Sequence, residues 1–189
     1  MEVVEAMRQN EILFIPDRLM GLNLAKITSK TILTWDGTCV VHEGFDVDSV
    51  RDIRKRFPGV KILAHPECTP GLVSEVDFAG GTSGMLNYVK TSPAKTFMLV
   101  TECGLTDRFK AEFRDKEIVG TCILCPYMKE IRLDDVLKAL KEPAPEQVIE
   151  IPADIAVRAR RSLDRMFELE KEGKALLEER GTSALPWTA

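Results

Sequence analysis

The chain has five cysteines, and each follows a short apolar run whose composition is typical of a β-strand. Cysteines used only for packing would also occur in the middle of helices and strands. In an open α/β sheet, ligands bind beyond the carboxyl ends of the strands, because the loops there face one crevice. Thiols gathered at such an edge predict a metal or iron–sulfur site rather than a disulfide framework. The five residues are Cys39, Cys68, Cys103, Cys122 and Cys125.

Two histidines and a glutamate lie beside these cysteines and add groups that can move protons. His42 and His65 are the only histidines of the chain, and both follow or end predicted strands. Glu67, between Pro66 and Cys68, is a candidate general base if the surrounding crevice raises the pKa of its carboxyl group. The two histidines and Glu67 are therefore candidate catalytic and substrate-binding groups.

Cys122 and Cys125 form a C-x-x-C pair whose spacing suits a metal site or a redox pair. A thioredoxin-like role is disfavoured, because Pro126 follows the pair instead of lying within it. A tetrahedral zinc site needs four ligands, which this pair, Cys39 and His42 can supply. Iron–sulfur clusters prefer thiolates, and a cluster held by three of them leaves one iron open to act as a Lewis acid. Both kinds of metal site fit the sequence.

A glycine-rich turn, residues 80–84, lies between a predicted strand and a predicted helix. Free backbone N–H groups and the positive end of the helix dipole favour an anion at such a position. The hydroxyl groups of Thr82 and Ser83 add two further donors. The turn matches neither a P-loop nor a dinucleotide fingerprint, so we predict a phosphate or carboxylate site of another type.

The elements that position these groups are predicted from the hydrophobic pattern. Strands and helices alternate over residues 12–119, which requires right-handed βαβ crossovers and a mostly parallel sheet. Beyond Arg132 the pattern becomes helical, and residues 153–180 are predicted to form one long amphipathic helix. We therefore predict an α/β fold with parallel sheets flanked by helices, plus this C-terminal helix. The inward-facing candidates of the helix are Ile155, Leu163, Phe167 and Leu176.

Charge and composition exclude several classes of partner. The 189 residues carry a formal net charge of −4 without a basic stripe, so nucleic acid is not the expected partner. No apolar run is as long as a membrane span, and the N-terminus lacks the pattern of a signal peptide. An odd number of cysteines without a secretion signal fits a reducing compartment, so we expect a cytoplasmic location.

A weak internal repeat lies within the α/β part. Residues 12–17, a helix and residues 36–39 have the same order as residues 98–102, a helix and residues 119–122. Each copy has a strand, an acidic residue, a helix and a second strand followed by Gly-Thr-Cys. The first copy lacks its beginning. We therefore predict pseudosymmetric α/β units, and we expect that an upstream part is missing.

Several short motifs resemble those of quinolinate synthase, and they occur in the order found in that family. The resemblance extends from the first residue to about Leu177. It implies an enzyme that condenses iminoaspartate with dihydroxyacetone phosphate to quinolinate, the precursor of the NAD pyridine ring. The motifs are Pro16-Asp17-Arg18, Gly37-Thr38-Cys39-x-x-His42, His65-Pro66-Glu67-Cys68, Ala79-Gly80-Gly81-Thr82, Thr101-Glu102-x-Gly104, Cys125-Pro126-Tyr127-Met128 and Arg165-Met166-Phe167.

The resemblance also implies a [4Fe–4S] cluster held by three cysteines, one from each of three pseudosymmetric units, with one iron left open. By motif, Cys39 and Cys125 would be two of its ligands, and the third would not be in this chain. Cys122 competes with Cys125 for one ligand role. The internal repeat favours Cys122, whereas the Pro-Tyr-Met that follows favours Cys125, which we choose.

By the same resemblance, His42, His65 and Glu67 line the substrate pocket, with Glu67 as the candidate acid/base. Thr82, with the adjacent Gly81, would help to hold the phosphate or carboxylates of the substrate. Gly81 is a departure from the family, since many relatives carry serine there. A second departure is Leu19-Met20, which replaces the Asn-Leu that often follows Pro-Asp-Arg. Both changes would weaken substrate contacts.

The organisation of the family implies a division of the chain into a partial middle unit (1–40), a complete unit (41–127) and a C-terminal helical extension (128–189). The extension would pack on the missing first unit, which a separate N-terminal polypeptide would supply if it is not part of the same chain. The alternative function is a non-catalytic metal-binding remnant, with zinc or no metal at the thiolates and a structural or interaction role.

Overall fold

The computed structural model describes residues 1–120 and 122–181, in which short strands and helices alternate as predicted. The strands are β1 (Glu11–Phe14), β2 (Thr31–Thr34), β3 (Lys61–Ala64), β4 (Phe78–Ala79), β5 (Thr96–Val100) and β6 (Glu117–Val119). The α-helices are α1 (Glu2–Ala6), α2 (Arg18–Ala25), α3 (Val47–Arg56), α4 (Pro70–Val73), α5 (Thr82–Thr91), α6 (Cys103–Glu112), α7 (Leu133–Lys141) and α8 (Ala153–Glu179). One compact unit contains residues 8–124, and a second contains residues 2–7 and 125–181.

The larger sheet of the first unit has the strand order β4-β3-β5-β6, and all neighbouring strands are parallel. Phe97 to Val100 of β5 are all buried. Because successive side chains of a strand point to opposite faces, both faces of this sheet are covered. On one side the core contains Leu63, Met85, Val89, Phe97, Leu99 and Phe109.

The smaller sheet pairs β1 with β2, also in parallel, with Ile12 beside Ile32 in the register. Ile12 is buried, whereas Leu13 is 65% exposed. Successive side chains of β1 therefore alternate between buried and exposed, as expected for a strand with one covered face. Two parallel sheets flanked by helices, followed by a long C-terminal helix, confirm the predicted fold class. The division at residues 40 and 127 stays a prediction, and residues 182–189 of its last part lie outside the described residues.

Capping side chains fix where most helices of the first unit begin. Each accepts a hydrogen bond from a backbone N–H of the first helical turn, which would otherwise have no partner. The loops between each strand and the next cap carry the polar side chains of the sheet edge. The caps are Asp17 for α2, Asp46 for α3, Thr69 for α4 and Glu102 for α6.

Asp77, just before β4, joins three elements of the first unit. Its carboxylate accepts a hydrogen bond of 3.0 Å from the backbone N–H of Ile62 and pairs with Lys61 at 2.9 Å and Arg54 at 2.8 Å. Burial alone would raise the pKa of Asp77, but the hydrogen bond and the two cations outweigh it. The pKa therefore lies below the ordinary value of 3.8, and the carboxylate is charged at neutral pH.

In the second unit, α1 packs on the last turns of α8. A Cβ added at Gly173 would overlap the carbonyl oxygen of Glu2, so only glycine allows this approach. Arg180 and Glu5 form an ion pair of 3.0 Å beside this contact. The residues of α8 that are buried are Leu169, Gly173 and Leu177.

The prediction of inward-facing residues in α8 is largely wrong. Ile155, Leu163 and Phe167 are 45%, 50% and 53% exposed, and only Leu176 is partly buried. In the part of the chain that the structure describes, none of the helices combines the length and the apolar composition needed to span a membrane.

Candidate functional site

The candidate site lies beyond the carboxyl ends of β2, β3 and β5. Cys39 and His42 follow β2, His65 and Glu67 follow β3, and Thr101 follows β5. One donor atom from each of Cys39, His42 and Glu67 lies within 4.8 Å of the other two. The expectation that the sheet edge brings these side chains together is therefore met for these three.

The ring of His42 is held at both of its nitrogens. Its Nδ1 lies 2.8 Å from Oε2 of Glu67, and its Nε2 lies 3.1 Å from Oγ1 of Thr101. An ionised carboxylate only accepts, so Nδ1 donates to Glu67. In the neutral ring Nε2 accepts from the threonine hydroxyl, and in the protonated ring it donates to the same oxygen. His42 can thus gain or lose a proton without turning.

Glu67 is kept ionised by this contact. The hydrogen bond from His42 lowers the pKa of the Glu67 carboxyl more than burial raises it, and His65 adds to the lowering. From the sequence we expected the opposite, namely that the surrounding crevice raises the pKa of the Glu67 carboxyl group. The correction matters for the chemistry, because the group at neutral pH is an anionic base or ligand and not a carboxylic acid.

His65 stacks on His42, with ring centroids 4.4 Å apart and an angle of 18° between the planes. Burial lowers the pKa of His65, and the neighbouring His42 lowers it further. Its ring is therefore neutral at pH 7. The backbone N–H of Glu67 donates to Nδ1 of His65 at 3.4 Å, which leaves the proton of the neutral ring on Nε2. His65 accordingly offers one N–H donor to the site.

Asp17 links the loop of Cys39 to the start of α2. One carboxylate oxygen accepts from the N–H of Met20 at 2.7 Å, and the other accepts from the N–H of Cys39 at 3.0 Å. Asp17 is only 5% exposed. The helix cap therefore also fixes the backbone of a candidate ligand, a role that the Pro16-Asp17-Arg18 motif alone did not predict.

Asn23 of α2 fixes the loop of Glu67 in a similar way. Its side-chain amide donates to the carbonyl oxygens of Pro66 at 2.7 Å and Cys68 at 2.8 Å, on either side of Glu67. Asn23 is 2% exposed. Asn23 was not among the site residues predicted from the sequence, although an asparagine on the buried face of a helix is a signal for such a contact.

Gly81 and Thr82 lie at the same edge of the larger sheet but are exposed. They follow β4, whose Ala79 is in register with Ala64 of β3. Gly81 is the N-cap residue of α5 and has no side chain to cap it, so backbone N–H groups of the first turn are available to an anion. Among the described residues, no hydrogen bond joins this turn to His42, His65 or Glu67.

Within the first compact unit, Cys68, Cys103 and Cys122 do not join the cluster around His42. Cys103 and Cys122 form a disulfide, so for them the expectation of a metal site over a disulfide is wrong. A disulfide sulfur is not a thiolate, which disfavours Cys122 as the competitor of Cys125. Burial raises the pKa of the Cys68 thiol to about 12, so Cys68 is a neutral core residue. Cys125 is a buried thiol and belongs to the second compact unit.

The donor set can be compared with the group that the resemblance implies. Iron–sulfur clusters take thiolate ligands, and the first unit offers one accessible thiol, Cys39, beside an imidazole and a carboxylate. Cys125, in the second unit, is chemically suited to be another ligand. The described residues therefore fit a cluster in ligand type, with His42 and Glu67 beside the candidate ligand Cys39.

Comparison with known proteins gives a consistent result. The family model described as "Quinolinate synthetase A protein" matches residues 1–168. The quinolinate synthase of Xylella fastidiosa (strain 9a5c) is 41% identical over 168 residues, which are 89% of this chain and 49% of that protein. The quinolinate synthases of Sinorhizobium fredii and Geobacter metallireducens are 41% and 39% identical, over 46% and 56% of their own lengths. The chain spans about half the length of these curated relatives.

Proposed function

The chain belongs to the quinolinate synthetase A family, and on this premise we propose that it takes part in the condensation of iminoaspartate with dihydroxyacetone phosphate to quinolinate, a step of NAD biosynthesis. The observation that carries the proposal is the contact of His42 with Glu67 beside Cys39. These residues belong to the motifs on which the resemblance rests, and their side chains meet although they come from separate loops.

In the proposed reaction Glu67 is the base. Its lowered pKa keeps the carboxylate ionised, so an Oε atom is ready to take a proton from the substrate. The hydrogen bond from Nδ1 of His42 orients the carboxylate and stabilises its charge. Thr101 keeps the imidazole in place whether Nε2 accepts or donates, so the Nδ1–H of His42 stays directed at the carboxylate.

His65 acts as a neutral hydrogen-bond donor in this scheme. Its Nε2–H is suited to a carbonyl or carboxylate oxygen of the substrate, because a lowered pKa keeps the ring from carrying a charge of its own. Gly81 and Thr82, exposed at the start of α5, would hold the phosphate or a carboxylate of the substrates. Together these groups would bind and orient an anionic substrate next to the base.

The family's [4Fe–4S] cluster would be held by Cys39 and Cys125, with a third cysteine outside this chain. When bound, such a cluster supplies an open iron that acts as a Lewis acid on a hydroxyl group. The residues of this chain would supply proton transfer and substrate orientation beside it. A separate N-terminal polypeptide is the partner that this proposal calls for if the remaining unit is not in the same chain.

Allele replacement in the source organism tests the proposal with every natural partner present. Deletion of the gene should make growth depend on quinolinate in a medium free of pyridine precursors, and Glu67→Gln should do the same, because loss of a general base slows a reaction about 10²- to 10⁴-fold. Glu112→Gln is the matched control, since Glu112 is an exposed carboxylate of α6 paired with Arg108. Growth of the deletion strain without quinolinate would refute the proposed function.

A further inference from the structure

We propose that the sheet of β1 and β2 is a docking surface for an α/β segment, which adds a parallel strand to the outer edge of β1 and a helix to the open face. The occupant is the segment that the curated relatives have outside the half matched by this chain. Docking of this segment does not depend on the proposed reaction, and it can be measured without turnover.

One face of this sheet is covered and the other is open. α2 packs on the covered face, where a Cβ added to Gly21 would meet the side chains of Phe14 and Thr34. Successive side chains of a strand point to opposite faces, so the residues next to these two point away from α2. Both faces of a parallel sheet are normally buried, so this face calls for a covering layer. The large apolar side chains at its positions are 45–65% exposed, and they are Leu13, Ile15, Leu33 and Trp35.

The outer edge of β1 is open as well, since the described residues place no strand beside it. On the side of β2, the carbonyl oxygen of Phe14 accepts from the N–H of Trp35 at 3.2 Å. Backbone groups of alternate residues point to opposite edges of a strand, so those of Leu13 point away from β2. Edges of complete sheets are usually protected by charged residues, by proline or by a covering element. An exposed leucine at this edge is instead typical of a strand with a neighbour on both sides.

The internal repeat indicates which neighbour fits this edge. The order β1, α2, β2 and Gly-Thr-Cys recurs as β5, α6, β6 and Gly-Thr-Cys. An acidic side chain caps the helix of each copy, Asp17 in the first and Glu102 in the second. In the larger sheet β5 is not an edge strand, because β3 pairs with it in parallel on the side away from β6. By the same pattern, a parallel strand belongs beside β1.

The burial of β5 indicates that a helix belongs on the open face. On the side of α6, Phe109 lies in one core cluster with Phe97 and Leu99. On the opposite face, Met98 and Val100 are also covered, at 1% and 0% exposure. The corresponding face of β1, opposite to α2, is the open one. A strand followed by an amphipathic helix would therefore complete the smaller sheet as the larger sheet is completed.

The relatives have enough additional chain for such a segment. The 168 matched residues are 49% of the Xylella fastidiosa protein, so a similar length lies outside the match. Parallel neighbours are joined by a crossover of a dozen or more residues, which is usually a helix. A segment that brings a parallel strand to β1 thus also brings a helix that can cover Leu13 and Trp35.

Hydrogen–deuterium exchange tests this docking without substrate or cluster. The probe is the half of the Xylella fastidiosa protein outside the match, joined ahead of the complete 189-residue chain by a flexible linker of about 20 residues. The tether gives a high effective concentration, so weak docking is also detected. Peptides that contain Leu13 or Leu33 should exchange at least about 10-fold more slowly in the fusion than in the chain alone. Peptides of β3, which has a neighbour on both sides, should not change.

Two variants locate the docked segment. Leu13→Glu places a charge at the outer edge, and Trp35→Ser removes the largest side chain of the open face. Each should return the exchange of β1 and β2 in the fusion to that of the chain alone. Both replace exposed side chains, so the chain itself should keep its fold. Leu22→Glu is the matched control, because Leu22 is an exposed leucine of α2, and it should leave the slow exchange unchanged.

Three results would overturn the proposal. The first is equal exchange of β1 and β2 in the fusion and in the chain alone, and the second is slow exchange that survives both variants. The third is slow exchange already present in the chain alone together with the mass of a dimer, which would assign the face to a second copy. Because no turnover is measured, none of these results decides the growth test of the proposed function.

Discussion

Asn23 offers a sharp test of how α2 supports the candidate site. Its amide satisfies two buried carbonyl groups, those of Pro66 and Cys68, at 2.7 and 2.8 Å. Asn23→Ala would leave both without a donor, and each buried unsatisfied group costs about 1–3 kcal/mol. Oδ1 of Asn23 is itself buried without a partner among the described residues, so its removal offsets part of the loss. We expect a net loss of about 3 kcal/mol in the free energy of unfolding.

Urea denaturation followed by circular dichroism measures this loss. With a slope of about 2 kcal/mol per molar urea, a change of about 3 kcal/mol lowers the midpoint by about 1.5 M. Asn87→Ala is the matched control, because Asn87 is an exposed asparagine of α5, and its midpoint should move by less than about 0.3 M. If Asn23→Ala shifts the midpoint no more than the control, the two carbonyls do not depend on Asn23, and the reasoning is wrong.

Three further perturbations test other contacts of the first unit. Replacing Cys103 and Cys122 by alanine should lower the unfolding free energy by about 3 kcal/mol, because the disulfide closes a loop across a sequence separation of 19; equal urea midpoints of the oxidised and reduced wild type would contradict this. Asp77→Asn should lower the free energy of unfolding at neutral pH, where the Asp77 carboxylate is ionised. The loss should become smaller as the pH falls through 3.8 and below, because the carboxyl group of the folded chain, whose pKa is lowered, then takes up a proton. A difference in melting temperature that does not change with pH would exclude the ion pairs as its cause. Phe97→Ala, at a fully buried position, should cost about 3–5 kcal/mol, again measured by urea unfolding, and a loss below about 1 kcal/mol would mean that the core refills the space.

The elements with strong local signals were predictable from the sequence. The alternation of strands and helices over residues 12–119 is an example, since strands such as Thr96–Val100 and Glu117–Val119 are short runs rich in β-forming residues between polar segments. The meeting of His42 with Glu67 also followed from a general rule, since parallel strands end at one edge. The contact of Thr101 with His42 was not predictable from the sequence. This contact requires β5 to lie beside β3, and the order of strands in a sheet is not a local property of the sequence.

Two predictions failed for a similar reason. The C-x-x-C spacing predicted that Cys122 and Cys125 act as a pair, but Cys122 forms its disulfide with Cys103. A parallel β-bridge between Glu102 and Ile123 brings the two cysteines of this disulfide close together. In α8, an amphipathic pattern identifies an apolar face but not the turns that have a neighbour. Gly173 allows the contact with α1, but glycine is a poor helix former. The hydrophobic pattern of a helix therefore does not predict a contact at this residue.

The parallel pairing of all described strands has a consequence for the order of folding. Parallel neighbours cannot be joined by a tight hairpin, so each pairing closes a long loop. The pair that joins Lys61 to Phe97 closes the longest of these loops, because β4 and α5 lie between. Thr101 reaches Nε2 of His42 only after that closure. Contacts distant in sequence form slowly, so this hydrogen bond is among the last to form, and a partly synthesised chain that ends before β5 lacks it.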